Sequence, residues 1–397
     1  MAILGGITGP SANYNHSSKK EVPTRTLPLG KNNVAKGVLS RPLYFVGLGQ
    51  HTDYNTMKRI GYILTEEKLS LDVCKTAIVN AAKHKHKRKS VIKILERLDE
   101  KAEVLRKIIL EEKYKPAEYK VCHIIDHPSK KERLLHKPKF FPDQCVHHII
   151  ILLLREELMK RFDPYVIASI PKRGAHYGYK ALRKWLERDK TGTKYCLKCD
   201  IKKCYDNIRP AVVVQAVGRF VKDKKFLRLV AKVAYSLPSL PLGNYTSGWF
   251  ENLVLCPLDR ALRSKKCVVR YLRYVDDFIV LGPNKRKLRQ LIDFIEGVLA
   301  KLGLRLKDNW QVFKVDDRGI DIIGYRFFRK FVLLRRRNLL SLMRCIRAYK
   351  KHPTAKLARS LLSRIGMCKW FSSYNFWQKY CLDLNFKIVK RRAYLCV

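Results

Sequence analysis

Residues 271–282, YLRYVDDFIVLG, set two adjacent aspartates, Asp276 and Asp277, inside an otherwise apolar, β-branched and aromatic run. The flanks read as two short strands, because Tyr, Val, Phe and Ile suit a pleated, half-buried surface and Gly282–Pro283 ends the second. The aspartates then fall at or near the tip of a hairpin. Burying two unpaired carboxylates is costly, so they require either solvent or cations. An exposed Asp-Asp turn is the simple alternative, and it fails only if the pair has partners.

Charge narrows the field. The 397 residues include 83 Lys and Arg against 34 Asp and Glu, a formal net charge of +49 spread through the whole chain. With 47% hydrophobic residues the chain can bury a substantial core for two or three subdomains, so it is globular. A surplus of this size repels itself unless a polyanion neutralises it, and cations interleaved with aromatic residues suit nucleic acid better than a membrane surface. No uninterrupted apolar stretch reaches transmembrane length, and MAILGGITGPSANYNHSSKK has no basic region ahead of an apolar core. No membrane partner and a cytoplasmic location are therefore expected. The 12 cysteines lack framework spacing, which suits a reducing compartment; Cys196 and Cys199 in KYCLKCD read as buried strand residues more than as half of a zinc site.

Along the chain, residues 1–67 are rich in Gly, Asn, Ser, Thr and Pro and read as a loosely ordered N-terminal extension. Helical periodicity starts near Leu69, is interrupted by the cationic run Lys83–Lys89, resumes through SVIKILERLDEKAEVLRKIILEEKY, and recurs in Asp143–Phe162, where His147 and His148 read as packing residues. The run itself, with Lys83, Lys85, Lys87, Arg88 and Lys89, reads as a phosphate-facing surface. Short strands then alternate with helices, among them the helical run PAVVVQAVGRFVKDKKFLRLVAKVAYS, giving an α+β sheet layered on helices. From about Phe331 the chain is helical, basic and aromatic, as suits a small domain lying along a duplex.

The opening aspartates gain a partner at Asp200, which ends the strand KYCLKCD. A carboxylate at the end of one strand can meet a hairpin pair on its neighbour, giving a cluster able to hold two divalent cations about 4 Å apart. Phosphoryl transfer uses that arrangement: one ion activates an attacking hydroxyl and the other neutralises the leaving pyrophosphate.

These segments resemble the motifs of reverse transcriptases. CDIKKCYDNI is similar to the first palm motif, YVDD (Tyr274–Asp277) to the Y-x-D-D box, and LPLGNYTSGWFENLVL to the motif between them. LGLRLKDNWQ and GIDIIGYRFF resemble the two motifs that follow; SKKERLLHKPKFFPDQCVHH and SIPKRGAHYGYKAL resemble fingers motifs. The resemblance covers about residues 68–397 and implies a right-hand polymerase fold, with fingers and palm over 68–330 and a helical basic thumb over 331–397. It implies Asp200, Asp276 and Asp277 as catalytic metal ligands for two Mg²⁺ ions, Mn²⁺ being an alternative ion. Tyr205 matches the steric gate against a ribose 2′-hydroxyl. Lys131 and Arg133 match cations that clasp the triphosphate, and Lys307 the cation that assists pyrophosphate departure. Leu242, Gly243, Ser247 and Tyr274 match positions lying against nucleotide and template. Template RNA, the RNA/cDNA duplex and dNTPs are the implied partners.

The string PLGNYTS, with Leu242 where intron and retroviral enzymes usually carry Gln, resembles the reverse transcriptases of diversity-generating retroelements, bacterial or phage-encoded, which copy RNA with errors at adenines. That resemblance implies a small basic accessory protein as a further partner. Gly248 departs from it, since this subgroup often has Gln there. The alternatives are a retron, group II intron-like or antiphage enzyme, the last adding nucleotides without templated copying, and, in a different class, a non-catalytic RNA-binding scaffold.

Overall fold

The computed structural model describes residues 59–126 and 131–394. The chain divides into Met1–Tyr54, outside the described residues, and Asn55–Val397. Residues 1–58 of the expected extension lie outside the described residues, but residues 59–67 belong to the folded body. Ile60 N donates to Phe220 O at 2.8 Å, and Ile60 O accepts from Lys222 N at 2.7 Å. The Asp223 carboxylate accepts from the N–H groups of Ile63 and Leu64 at 2.8 Å each, and both side chains are buried. The body therefore starts ahead of residue 68, because these apolar residues complete its core.

Among the described residues, nine strands form three antiparallel sheets. β1 (Lys120–Asp126) and β2 (Lys131–Lys137) make a hairpin. β3 (Tyr195–Asp200), β4 (Arg270–Tyr274), β5 (Asp277–Gly282) and β6 (Gln311–Lys314) form the central sheet in the order β4-β5-β3-β6. β7 (Ile320–Ile322), β8 (Tyr325–Phe327) and β9 (Val332–Leu334) form a meander.

The central sheet obeys the two-residue period of a strand. Leu197, Cys199, Tyr271, Phe278 and Val280 enter the core shared with the helices Cys145–Arg161, Ser247–Arg263 and Lys285–Ala300. Cys196, Leu272, Ile279 and Leu281 enter a second core with the helix Ala175–Arg188, the meander and the C-terminal helices. A sheet covered on both faces explains why its strands are nearly continuously apolar, and why Cys196 and Cys199 are buried strand residues.

Two runs expected as single helices are broken. The first splits into Lys89–Leu95 and Leu98–Leu110. The second splits into Pro210–Gly218 and Lys224–Ala234, where Val221 pairs with Ile60 and Asp223 caps the second helix by accepting from Phe226 N at 3.0 Å. The expected domain boundary at 330/331 falls inside the meander, since Phe327 pairs with Val332. Its three-residue strands are too short to show a period, so the helical run starts only at Arg336.

Candidate active site

Backbone pairing alone gathers the three aspartates. Asp200, the last residue of β3, is the register partner of Asp277, the first of β5. The two-residue turn Val275–Asp276 joins β4 to β5, with Tyr274 opposite Asp277. Ile201 N donates to Asp276 O at 3.1 Å, closing the group from the β3 side. Tight hairpins of this length favour positive φ, and Val275 supplies it at 59°, a conformation that strains a β-branched residue.

The carboxylates are partly shielded from solvent. Burial raises the Asp277 carboxyl to about 6; Lys198, with Nζ 3.7 Å from Asp277 Oδ2, offsets part of the rise and Asp200 adds to it. Burial also raises Asp276, followed by the charge of Asp200 beside it. Lys307 clamps Asp200, its backbone N donating to Asp200 O at 2.8 Å and its Nζ to Asp200 Oδ1 at 2.5 Å. Among the described residues no three His, Cys, Asp or Glu side chains form a preformed metal cage. The trio nonetheless fits divalent ions: its donors are all oxygens, and Asp277 Oδ1 is buried with no hydrogen-bond partner among the described residues. An ion on Asp200 would compete with the Lys307 ammonium.

Tyr205, in the short helix Cys204–Asn207, is half-buried and shares a hydrogen bond with Glu251. Glu251 is buried in the helix Ser247–Arg263; burial pushes its carboxyl up to about 7, against the opposing effect of Arg273. A Cβ at Gly248 would lie 2.3 Å from Ser169 Oγ and 3.8 Å from Tyr205 Oη, which accounts for glycine where the resemblance favours Gln. The preceding loop docks on the β1–β2 hairpin: Leu242 O accepts from His136 N at 2.9 Å, and a Cβ at Gly243, whose φ is +128°, would lie 2.1 Å from His136 O. Gly243→Ala should therefore destabilise the fold by about 1–3 kcal/mol, checked by urea unfolding; an unchanged midpoint would refute this docking. Leu242 is half-buried and Gly243 exposed.

The Ser247 side chain, expected against nucleic acid, turns inward. It is buried, its Oγ donating to Pro241 O at 2.7 Å, because it closes the turn that starts its helix. Tyr274, by contrast, is 38% exposed at the hairpin tip. Arg133 is exposed on β2 opposite Ile124; Lys131 pairs with Asp126 through its backbone, and its side chain lies outside the described residues. Both stand on a different sheet from the aspartates, joined to their surroundings through the His136–Leu242 contact.

In the cationic run, Lys83, Lys87, Arg88 and Lys89 are exposed, whereas Lys85 is taken up by the fold and donates to Ala81 O at 2.8 Å and Gln144 Oε1 at 2.5 Å. The run lies close to the middle motif. His148 stacks on the exposed ring of Tyr245 with centroids 3.8 Å apart, and burial followed by the charges of Lys85 and Lys83 holds its imidazole down at about 4. His147 is buried and held at about 3 by burial. Both are packing residues, as expected.

Sequence reasoning missed a buried polar network under the hairpin: Arg273 on β4 with Asn252 and Asp259 on the helix Ser247–Arg263. A signal was present. Period two puts Arg273 on the same face as Tyr271, toward that helix, and Asn252 and Asp259 lie seven residues, two turns, apart.

An antiparallel sheet with an aspartate-bearing hairpin, layered on helices and flanked by a second hairpin, is the right-hand polymerase fold. Residues 128–327, half the chain, match the family model described as reverse transcriptase (RNA-dependent DNA polymerase), and the chain belongs to that family. It is 21% identical over 283 residues to Protein YkfC of Escherichia coli (strain K12), covering 59% of this chain and 73% of that protein. It is 26% identical over 214 residues to the group II intron-encoded protein LtrA of Lactococcus lactis subsp. cremoris, covering 50% of this chain but only 34% of the relative. Among solved structures, apo telomerase from Candida tropicalis aligns with a TM-score of 0.42 and 16% identity, over 63% of this chain and 52% of that one. Reverse transcriptases use divalent metal ions. No described helix is long and apolar enough to cross a membrane.

Proposed function

We propose that the chain copies an RNA template into cDNA, with Asp200, Asp276 and Asp277 as its catalytic carboxylates. The supporting observation is their convergence at one end of the central sheet, with a buried oxygen on Asp277 that has no hydrogen-bond partner among the described residues, in a chain of net charge +49. Asp200, Asp276 and Asp277 would hold two divalent ions, Mg²⁺ first among them, which when bound would activate a primer 3′-hydroxyl and neutralise the departing pyrophosphate. The protein's own groups do the positioning. Lys307 balances the charge of Asp200 and is the cation assigned here to the departing pyrophosphate, a role supported by its ion pair with Asp200. The Tyr205 ring, held by Glu251, excludes a ribose 2′-hydroxyl. Lys131 and Arg133, on β2 of the hairpin, are the cations assigned to the triphosphate, and the exposed Tyr274 is assigned to the primer end.

The exposed cations Lys83, Lys87, Arg88 and Lys89, in a run whose Lys83 and Lys85 act on the His148 imidazole stacked on Tyr245, form the template-RNA track. Affinity for RNA should fall steeply with salt. Replacing these four by Ala should reduce the log–log slope by about 0.7 for each single-strand phosphate that is no longer neutralised, read from filter binding at graded KCl; an unchanged slope would count against this track.

The finer reading is the error-prone enzyme of a diversity-generating retroelement, acting with a small basic accessory protein. It rests on the PLGNYTS string, in which Leu242 puts an aliphatic group where a polar one is usual, docked against the fingers hairpin. The similarity to LtrA favours an intron-type enzyme as the second reading. Sequenced cDNA decides between them: the first expects misincorporation concentrated opposite template adenines and reduced in Leu242→Gln, and the second a low, even error rate.

A further inference from the structure

The Arg273 side chain is 0% exposed. Its Nε donates to Asp259 Oδ1 and its Nη2 to Asp259 Oδ2, both at 2.8 Å; its Nη1 donates to Asn252 Oδ1 and to Val275 O, both at 3.1 Å. Tyr271 Oη adds a bond to Asp259 Oδ1 at 2.6 Å. The guanidinium thus ties the helix Ser247–Arg263 to the carbonyl of the one residue that holds the aspartate turn in a left-handed conformation. A buried ion pair is a poor source of stability, since apolar residues of similar volume often serve as well. What an apolar pair cannot do is donate to Val275 O.

We propose that Arg273 is a positioning residue: by holding the Val275 carbonyl it fixes the Val275–Asp276 turn and sets Asp276 and Asp277 beside Asp200. The inference rests on reading those three aspartates as the catalytic set. Without the guanidinium, the strain at Val275 relaxes by rotation of the Val275–Asp276 peptide, which moves the Asp276 carboxylate away from Asp200. The same link couples the loop Leu242–Ser247, at the start of the helix, to the hairpin.

The test compares native protein with Arg273→Lys and with the double variant Arg273→Met plus Asp259→Leu, measuring kcat, KM for dNTP, the Mg²⁺ dependence of primer extension, and Tm. The double variant should stay folded with a Tm lowered by only several degrees, because the buried charge is removed in both partners while Tyr271, Asn252 and Val275 each lose one hydrogen bond. Its kcat should fall about 10²-fold, its half-saturating Mg²⁺ concentration should rise, and KM for dNTP should stay within about twofold. If the double variant does not fold, Arg273→Lys decides, with the same split between kcat and KM at an intact Tm. Asp276→Asn is run beside them. A folded Arg273 variant with native kcat and Mg²⁺ dependence, while Asp276→Asn is inactive, overturns this inference alone; an active Asp276→Asn overturns the aspartate reading beneath it as well.

Discussion

Replacing Asp277 with Asn should abolish DNA synthesis, a loss on the order of 10³-fold or more, and at the same time stabilise the ion-free chain above about pH 6. The first effect follows if Asp277 is a metal-holding carboxylate at the head of β5, since an amide lacks the charge. The second follows from burial. The folded carboxyl titrates at about 6 against an ordinary 3.8, so it binds its proton more tightly folded than unfolded. Its contribution is complete below about pH 4 and lost as pH rises through 6. Asn mimics the protonated form at every pH. After allowance for the side chain's 24% exposure, the variant should exceed native stability by about 2 kcal/mol above pH 6 and match it below pH 4. Thermal melts in chelator across that range measure the difference, and added Mg²⁺ should raise the native Tm more than the variant's. A variant less stable than native at pH 7 in chelator would contradict the burial argument.

Tyr205→Ala should let ribonucleotides in. The ring is half-buried near Gly248 and held through its hydroxyl by Glu251, so its removal opens space where a 2′-hydroxyl would sit. Incorporation of rNTP relative to dNTP should rise about 10- to 100-fold, measured as a ratio of kcat/KM in single-nucleotide extension. Tyr205→Phe, which keeps the ring and loses only the bond to Glu251, should retain most of the discrimination. An unchanged ratio in Tyr205→Ala would remove this residue from sugar selection.

The hairpin and the third aspartate were legible because acidic residues stand out in strands whose both faces are apolar; Asp200, Asp276 and Asp277 break that pattern where the strands end. Arg273 was not legible, since in a chain with 83 Lys and Arg one more cation in a strand carries no signal until its partners seven residues apart on a helix are placed opposite it. The inward turn of Ser247 was not legible for the converse reason: a hydroxyl in a loop motif reads as ligand-facing, and only the backbone shows it bonded to Pro241. The strands β1 and β2 escaped notice because Val121, Ile124, Ile125 and Leu134 remain exposed among lysines and histidines, leaving no clean alternation. The early start of the body at Ile60 depends on a bridge to Val221, a pairing across about 160 residues that no local pattern encodes.

The most direct test of the central claim is primer extension by the full chain on an RNA template with dNTPs and Mg²⁺, with the products sequenced. Native protein should yield cDNA complementary to the template, dependent on a divalent ion and absent with Asp276→Asn plus Asp277→Asn. RNA binding without extension under any divalent ion, or a product whose sequence ignores the template, would contradict that claim.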